Sequence, residues 1–147
     1  MLPALLVGIG VLVISLVIFA WTTALIVRVV ARFFRPGFGG MPIWKDAIVM
    51  MVVSLITMVG HLIQIALWAG VYLLVGDIAT FETAFYASAQ NYTALGYGDI
   101  VHSEQWRLLG PIEAINGLLL FGMSTGLMFA VMGRLITNRL HLERRNN

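Results

Sequence analysis

Long apolar runs alternate with short polar breaks along this chain. Three runs reach the roughly 20 residues that a helix needs to cross a bilayer. The first covers about residues 2–27 and holds no formal charge; the second, about 47–76, is interrupted only by His61 and Gln64. The third, about 112–133, has Glu113 near its start. Between the second and third the pattern predicts a shorter helix over Phe81–Tyr92, with Thr80 as N-cap and Glu82 in the first turn, where an acid suits the helix dipole. Such a helix is about 18 Å long, enough to enter a bilayer but not to cross it. Phe81, Ala84, Phe85 and Ala89 give it an apolar face to set against the spans. Irregular backbone beyond it is tolerated at that depth only where protein covers it or water lines it, which requires a pore or an oligomer.

Composition makes the membrane setting compulsory. Hydrophobic residues are 60% of the chain and charged residues 11%, with a mean hydropathy of +0.92. So few charges could not cover the surface of a soluble domain of this size. The first run lacks a basic stretch before it and exceeds the ~7–15 residues of a signal core, so it reads as a retained helix. Cysteine is absent, which excludes disulfides and thiolate metal sites. Paired carboxylates, a nucleophile with its base and a phosphate loop are not visible, so the pattern points away from an enzyme, and nothing in it suggests nucleic acid.

Charge sets the expected topology. Arg28, Arg32, Arg35 and Lys45 flank the first loop, and Arg134, Arg139, Arg144 and Arg145 lie at or beyond the end of the third span; Arg107 falls elsewhere. The positive-inside rule then puts the C-terminus in the cytoplasm, with the N-terminus and residues 77–110 outside the plasma membrane. That outer segment carries Asp77, Glu82, Asp99 and Glu104 against Arg107, an excess that concentrates cations at its mouth. The first helix is expected to reach Arg35, before Pro36-Gly37-Phe38-Gly39-Gly40 breaks it, and at about 50 Å it must tilt or protrude. Trp44 and Lys45 read as an interfacial anchor, Trp106 as its outer counterpart, and Pro111 suits the first turn of the last helix. Arg28, Arg32 and Arg35 cluster at one helix end rather than running through the membrane, so they read as contacts to anionic lipid and not as a voltage sensor. The short stretch after Arg134 leaves no room for a ligand-binding domain.

The chemistry is carried by Thr93-Ala94-Leu95-Gly96-Tyr97-Gly98-Asp99. A span, a half-length helix, Gly-Tyr-Gly-Asp and a second span together resemble the two-span pore module of potassium channels, over roughly residues 44–136. The expected organisation is an additional transmembrane helix (1–35), the pore module (44–136) and a basic tail (137–147). The resemblance implies an all-α membrane fold with a re-entrant pore helix, assembled as a homotetramer, and no cofactor beyond potassium ions in the filter. Thr93 to Gly98 would line that filter, with carbonyls of Ala94, Leu95, Gly96 and Tyr97 replacing the water around a potassium ion. Gly96 and Gly98 suit the positive φ such a strand needs. Two positions depart from the family's Thr-Val-Gly-Tyr-Gly. Ala94 stands where a threonine hydroxyl would line the innermost ion site, and Leu95 replaces Val or Ile. Weaker selectivity, or a non-conducting subunit that keeps the fold, are the alternatives this leaves open. Gln90 occupies a position where several such channels pair a carboxylate with the terminal Asp, here Asp99, and Tyr86 is the alternative donor to it.

Within the spans, His61 with Gln64 and Glu113 with Asn116 share helix faces. Interhelical hydrogen bonds are the expected role, since a lone intramembrane histidine makes a poor metal site; Glu113 is expected to accept from Trp68 or backbone. Gly117, Gly122 and Gly126 are expected to break the inner helix, one of them as a gating hinge, and Ser124 and Thr125 to line a wet cavity.

Overall fold

The computed structural model describes residues 1–33 and 43–146. The described residues form four helices: α1 (Leu2–Phe33), α2 (Ile43–Leu74), α3 (Phe81–Tyr92) and α4 (Leu109–Asn146). Three of them are long and apolar enough to cross a membrane. The all-helical, three-span architecture with a short inserted helix is therefore as the pattern predicts. Helices α2 and α4 each extend past their apolar stretch into charged turns, at Asp46 and at Arg139. Residues 137–146, expected as a basic tail, are helical and continue α4. Arg35 and the expected break at 36–40 lie outside the described residues. Pro111 does fall in the first turn of α4, where no intrahelical N–H is needed.

Helix α1 packs on both α2 and α4. Its first half meets the start of α4: a Cβ on Gly8 would lie 2.7 Å from Cδ1 of Ile112. Its second half, through Ile26 and Val30, joins Val49, Val53, Val131 and Leu135 in a separate core at the opposite end. So α1 runs parallel to α4 and antiparallel to α2. At the end where α4 starts, a larger core gathers Trp68, Tyr72, Ala84, Ala87, Tyr92, Leu109 and Leu120 around α3. Phe81, expected in that packing, is 56% exposed and touches Phe85 with ring centroids 5.9 Å apart; its place at the helix tip leaves it no span to meet.

Polar groups join the helices inside this apolar frame. Ser15 donates to Gln64 Oε1 at 2.6 Å, Gln64 Nε2 returns a bond to the Ser15 carbonyl at 2.8 Å, and Asn116 Nδ2 reaches Ser15 Oγ at 2.9 Å. All three side chains are buried, so one residue of α1 ties α2 to α4. At the other end Arg139 Nε donates to Asp46 at 2.9 Å, linking α4 to the first turn of α2.

Helix α4 runs unbroken through Gly117, Gly122 and Gly126, contrary to the expected break. Glycine lowers helix propensity by only about 1 kcal/mol, which packing offsets. Gly117 has a different function: a Cβ there would lie 1.9 Å from the carbonyl oxygen of Tyr92. Its missing side chain lets the inner helix touch the end of α3. Gly122 and Gly126 meet nothing within 4 Å in the single chain.

Candidate functional site: the turn after the short helix

Helix α3 starts as its sequence dictates. Thr80 has extended backbone and its hydroxyl accepts from the Thr83 N–H. The helix ends at Tyr92, with Thr93 as C-cap; the Thr93 hydroxyl donates to the Ala89 carbonyl at 2.7 Å. That hydroxyl is bound to its own helix, so it does not stand in for the one Ala94 lacks.

The backbone beyond Thr93 then turns back on the helix. Ala94 N–H reaches Asn91 O at 2.9 Å, Leu95 N–H reaches Gln90 O at 2.9 Å, and Gly96 N–H reaches the same oxygen at 3.4 Å. Tyr97 N–H donates to the Gln90 side-chain oxygen at 3.0 Å. Four successive N–H groups therefore face α3. Positive φ recurs at Ala94 (57°), Gly96 (52°) and Gly98 (77°), and not at Leu95 or Tyr97 between them. The two glycines take this conformation freely. Ala94 does so at a cost of about 1–2 kcal/mol, a departure its sequence does not signal. Leu95 and Tyr97 are 56% and 69% exposed on the single chain.

Asp99 closes the turn. Gln90 Nε2 donates to one of its oxygens at 2.9 Å and Tyr86 O–H to the other at 2.9 Å, so both expected partners act together. These bonds, Gln90 first and Tyr86 second, hold the Asp99 carboxyl below the usual carboxylate range. The double use of Gln90, on Tyr97 and on Asp99, is invisible in its sequence spacing.

Behind α3 lies a second polar system. Glu113 is fully buried and accepts from Tyr72 of α2; its other oxygen lies 2.5 Å from Ser88 Oγ of α3. Trp68, expected as its donor, leaves its Nε1 without a partner among the described residues. The Tyr72 hydroxyl reaches the carboxylate first, one turn further along α2. Ser88 Oγ also lies 2.8 Å from the Ile65 carbonyl. A hydroxyl has one proton for these two oxygens. The set is complete when Glu113 carries its proton on Oε1 and gives it to Ser88, which then donates to Ile65. No cation is among its hydrogen-bond partners, and an ionised carboxyl buried alone is costly.

From Tyr72 the system continues to the turn after α2. Asn91 Nδ2 lies 3.2 Å from the Tyr72 oxygen and 2.9 Å from His102 Nε2. His102 Nδ1 lies 2.5 Å from Asp77, which also takes Ser103 Oγ at 2.6 Å and Ser103 N–H at 3.0 Å. Burial pushes the Asp77 carboxyl up, but the bonds from Ser103 and His102 outweigh it and leave it below its ordinary value.

His61 makes a third link. Ser124 donates to its own helix at Leu120 O, 2.7 Å away, so its oxygen accepts from His61 Nε2 at 3.0 Å. His61 Nδ1 is then the acceptor for Tyr92 O–H at 2.8 Å. The expected interhelical role of His61, Gln64, Glu113 and Asn116 thus holds, although each pair divides between different neighbours. Ser124 is buried on this link and not on an open wall, because His61 draws it inward; Thr125 is exposed and donates to Phe121 O. No group of three His, Cys, Asp or Glu side chains able to hold a metal occurs among the described residues.

A family model described as an ion channel matches residues 59–134, just over half of the chain. The comparisons with curated proteins and with solved structures returned no match. The matched segment holds the second half of α2, all of α3, the turn at 93–99 and most of the apolar part of α4. With those elements in that order around a half-length helix, the chain belongs to the ion-channel family with the two-helix pore module.

Proposed function

We propose that the chain conducts potassium ions passively, through a homotetrameric pore in the plasma membrane whose filter is lined by residues 93–98. The observation that carries this reading is the row of four N–H groups, Ala94 to Tyr97, turned onto α3. With the donors on one side, the carbonyls of the same residues are free to face the other, where a ring of copies would surround an ion. The end of α3 adds the partial negative charge of a helix C-terminus beside the entering cation. The exposed Leu95 and Tyr97 are surfaces that neighbouring subunits would cover.

Ala94 supports a second, weaker form of this reading. No hydroxyl is available at the inner end, since that of Thr93 is engaged with Ala89. Discrimination against sodium then rests on the carbonyl rings alone. Flux assays on the purified chain in liposomes test both forms. Potassium flux exceeding sodium flux is expected, and Ala94→Thr should add an inner ion site visible as anomalous density from a heavier congener. Equal fluxes would leave a poorly selective cation channel, and no flux of either ion would leave a non-conducting subunit.

A further inference from the structure

The hydrogen-bond chain from His102 to Ser88 has a fixed direction, and the direction decides which protons it tolerates. Tyr72 gives its proton to Glu113, so its oxygen accepts from Asn91. The second N–H of that same amide points to His102 Nε2 at 2.9 Å. Nε2 must therefore be bare, and the single proton of a neutral imidazole sits on Nδ1, donated to Asp77. The groups that face His102 are Asp77 from the turn after α2, Tyr72 of α2 with its ring centroid 4.5 Å away, and neutral Asn91 of α3. Glu113 of α4 reaches it through Tyr72.

A proton added at Nε2 turns that acceptor into a donor facing another donor. The contact is restored by a half-turn of the Asn91 amide, which presents Oδ1 to both His102 and Tyr72. Tyr72 then donates to Asn91 and no longer to Glu113. The Glu113 proton moves from Oε1 to Oε2 and serves Tyr72. Ser88 turns its own proton to Oε1 and lets go of the Ile65 carbonyl. One proton enters at His102, none leaves, and every bond along the chain reverses. Its last effect is the loss of the Ser88–Ile65 bond, which ties α3 to α2 directly behind the filter.

We propose that His102 is a proton-binding site at the filter mouth whose occupancy loosens the pore helix and lowers conduction. This rests on the channel reading above. His102 keeps a small exposed edge beside exposed Ser103, so solvent protons reach it. Asp77, held below the usual carboxylate range by its bonds to Ser103 and His102, keeps a negative charge beside the ring that favours an added proton.

The test is potassium current through the reconstituted full chain, with pH stepped from about 8 to about 5 on each face in turn. Acid on the face bearing residues 77–108 should lower current roughly tenfold, the equivalent of one net hydrogen bond. His102→Gln, whose amide accepts from Asn91 and donates to Asp77 at every pH, should abolish the response and keep the current measured at high pH. Tyr72→Phe, which cuts the chain between Asn91 and Glu113, should remove the pH response of the current. A wild-type current insensitive to pH, or a His102→Gln variant with the full response, overturns the proposal. Nitrogen-15 spectra of the wild-type protein in lipid provide a reading that needs neither variants nor conduction. At high pH they should show His102 protonated on Nδ1, and a proton on Nε2 would overturn the proposal even if the chain conducts.

Discussion

Gln90 uses both ends of one amide, accepting from Tyr97 N–H and donating to Asp99. A glutamate there could make both bonds only while protonated. Gln90→Glu should therefore give a channel that is weakened as pH rises and restored by acid, read as potassium current against pH. In the natural chain the sign is opposite. Asp99 has a folded-state pKa below its ordinary value, so its contribution to stability is present above that ordinary value and is lost as pH falls through the lower one. Carbon-13 titration of Asp99 should place its midpoint below the ordinary aspartate value, and a midpoint above that value would contradict the bonding seen here. Glu113 makes a separate residue-scale case. A neutral glutamine reproduces a protonated carboxyl, donating to Ser88 and accepting from Tyr72, so Glu113→Gln should cost less than about 1 kcal/mol. Glu113→Ala leaves Tyr72 and Ser88 partly unpaired and should cost about 1–3 kcal/mol, both measured by thermal unfolding in detergent.

At the scale of elements, what the sequence disclosed and what it hid divide by distance along the chain. The cap at Thr80, the acid at Glu82 and both ends of α3 follow from rules acting within one turn, and they were readable. So were the three spans and the positive φ of Gly96 and Gly98, which follow from length and from lacking a Cβ. Ser15 gave no such signal. It is one hydroxyl in an apolar run, and its importance comes from Gln64 and Asn116, 49 and 101 residues away. Arg139 and Asp46, 93 apart, were equally silent. Ser15→Ala should loosen α1 by about 0.6–2 kcal/mol, the range of such bonds in membranes. A lower unfolding temperature in detergent would report it, and an unchanged one would show that apolar packing alone holds α1. Gly117 was readable as a glycine but not as a contact. Gly117→Ala should cost about 1–3 kcal/mol by overpacking, whereas Gly122→Ala should be near neutral within a subunit; a thermal-shift series distinguishes the two.

For the whole molecule, the 93–99 backbone on an isolated subunit would meet lipid with its carbonyls unpaired, at several kcal/mol for each. Native mass spectrometry should therefore find four copies, and a stable monomer would oppose the pore reading. A reporter fused after Asn147 should be cytoplasmic, as Arg134 and Arg139 at that end of α4 imply. The contact between Gly117 and the Tyr92 carbonyl has a mechanical consequence. It sets the first two turns of α4 directly against the end of α3, so a bend at Gly117 would have to break that contact. If the proposed channel opens by a swing of α4, the expected pivot lies beyond it, where Gly122 and Gly126 stand clear of neighbours within the chain. From Gly122 to the end of α4 the helix runs about 36 Å, so a bend of about 10° there would carry its tip roughly 6 Å and would have to draw Val131 and Leu135 from their core and Arg139 from Asp46.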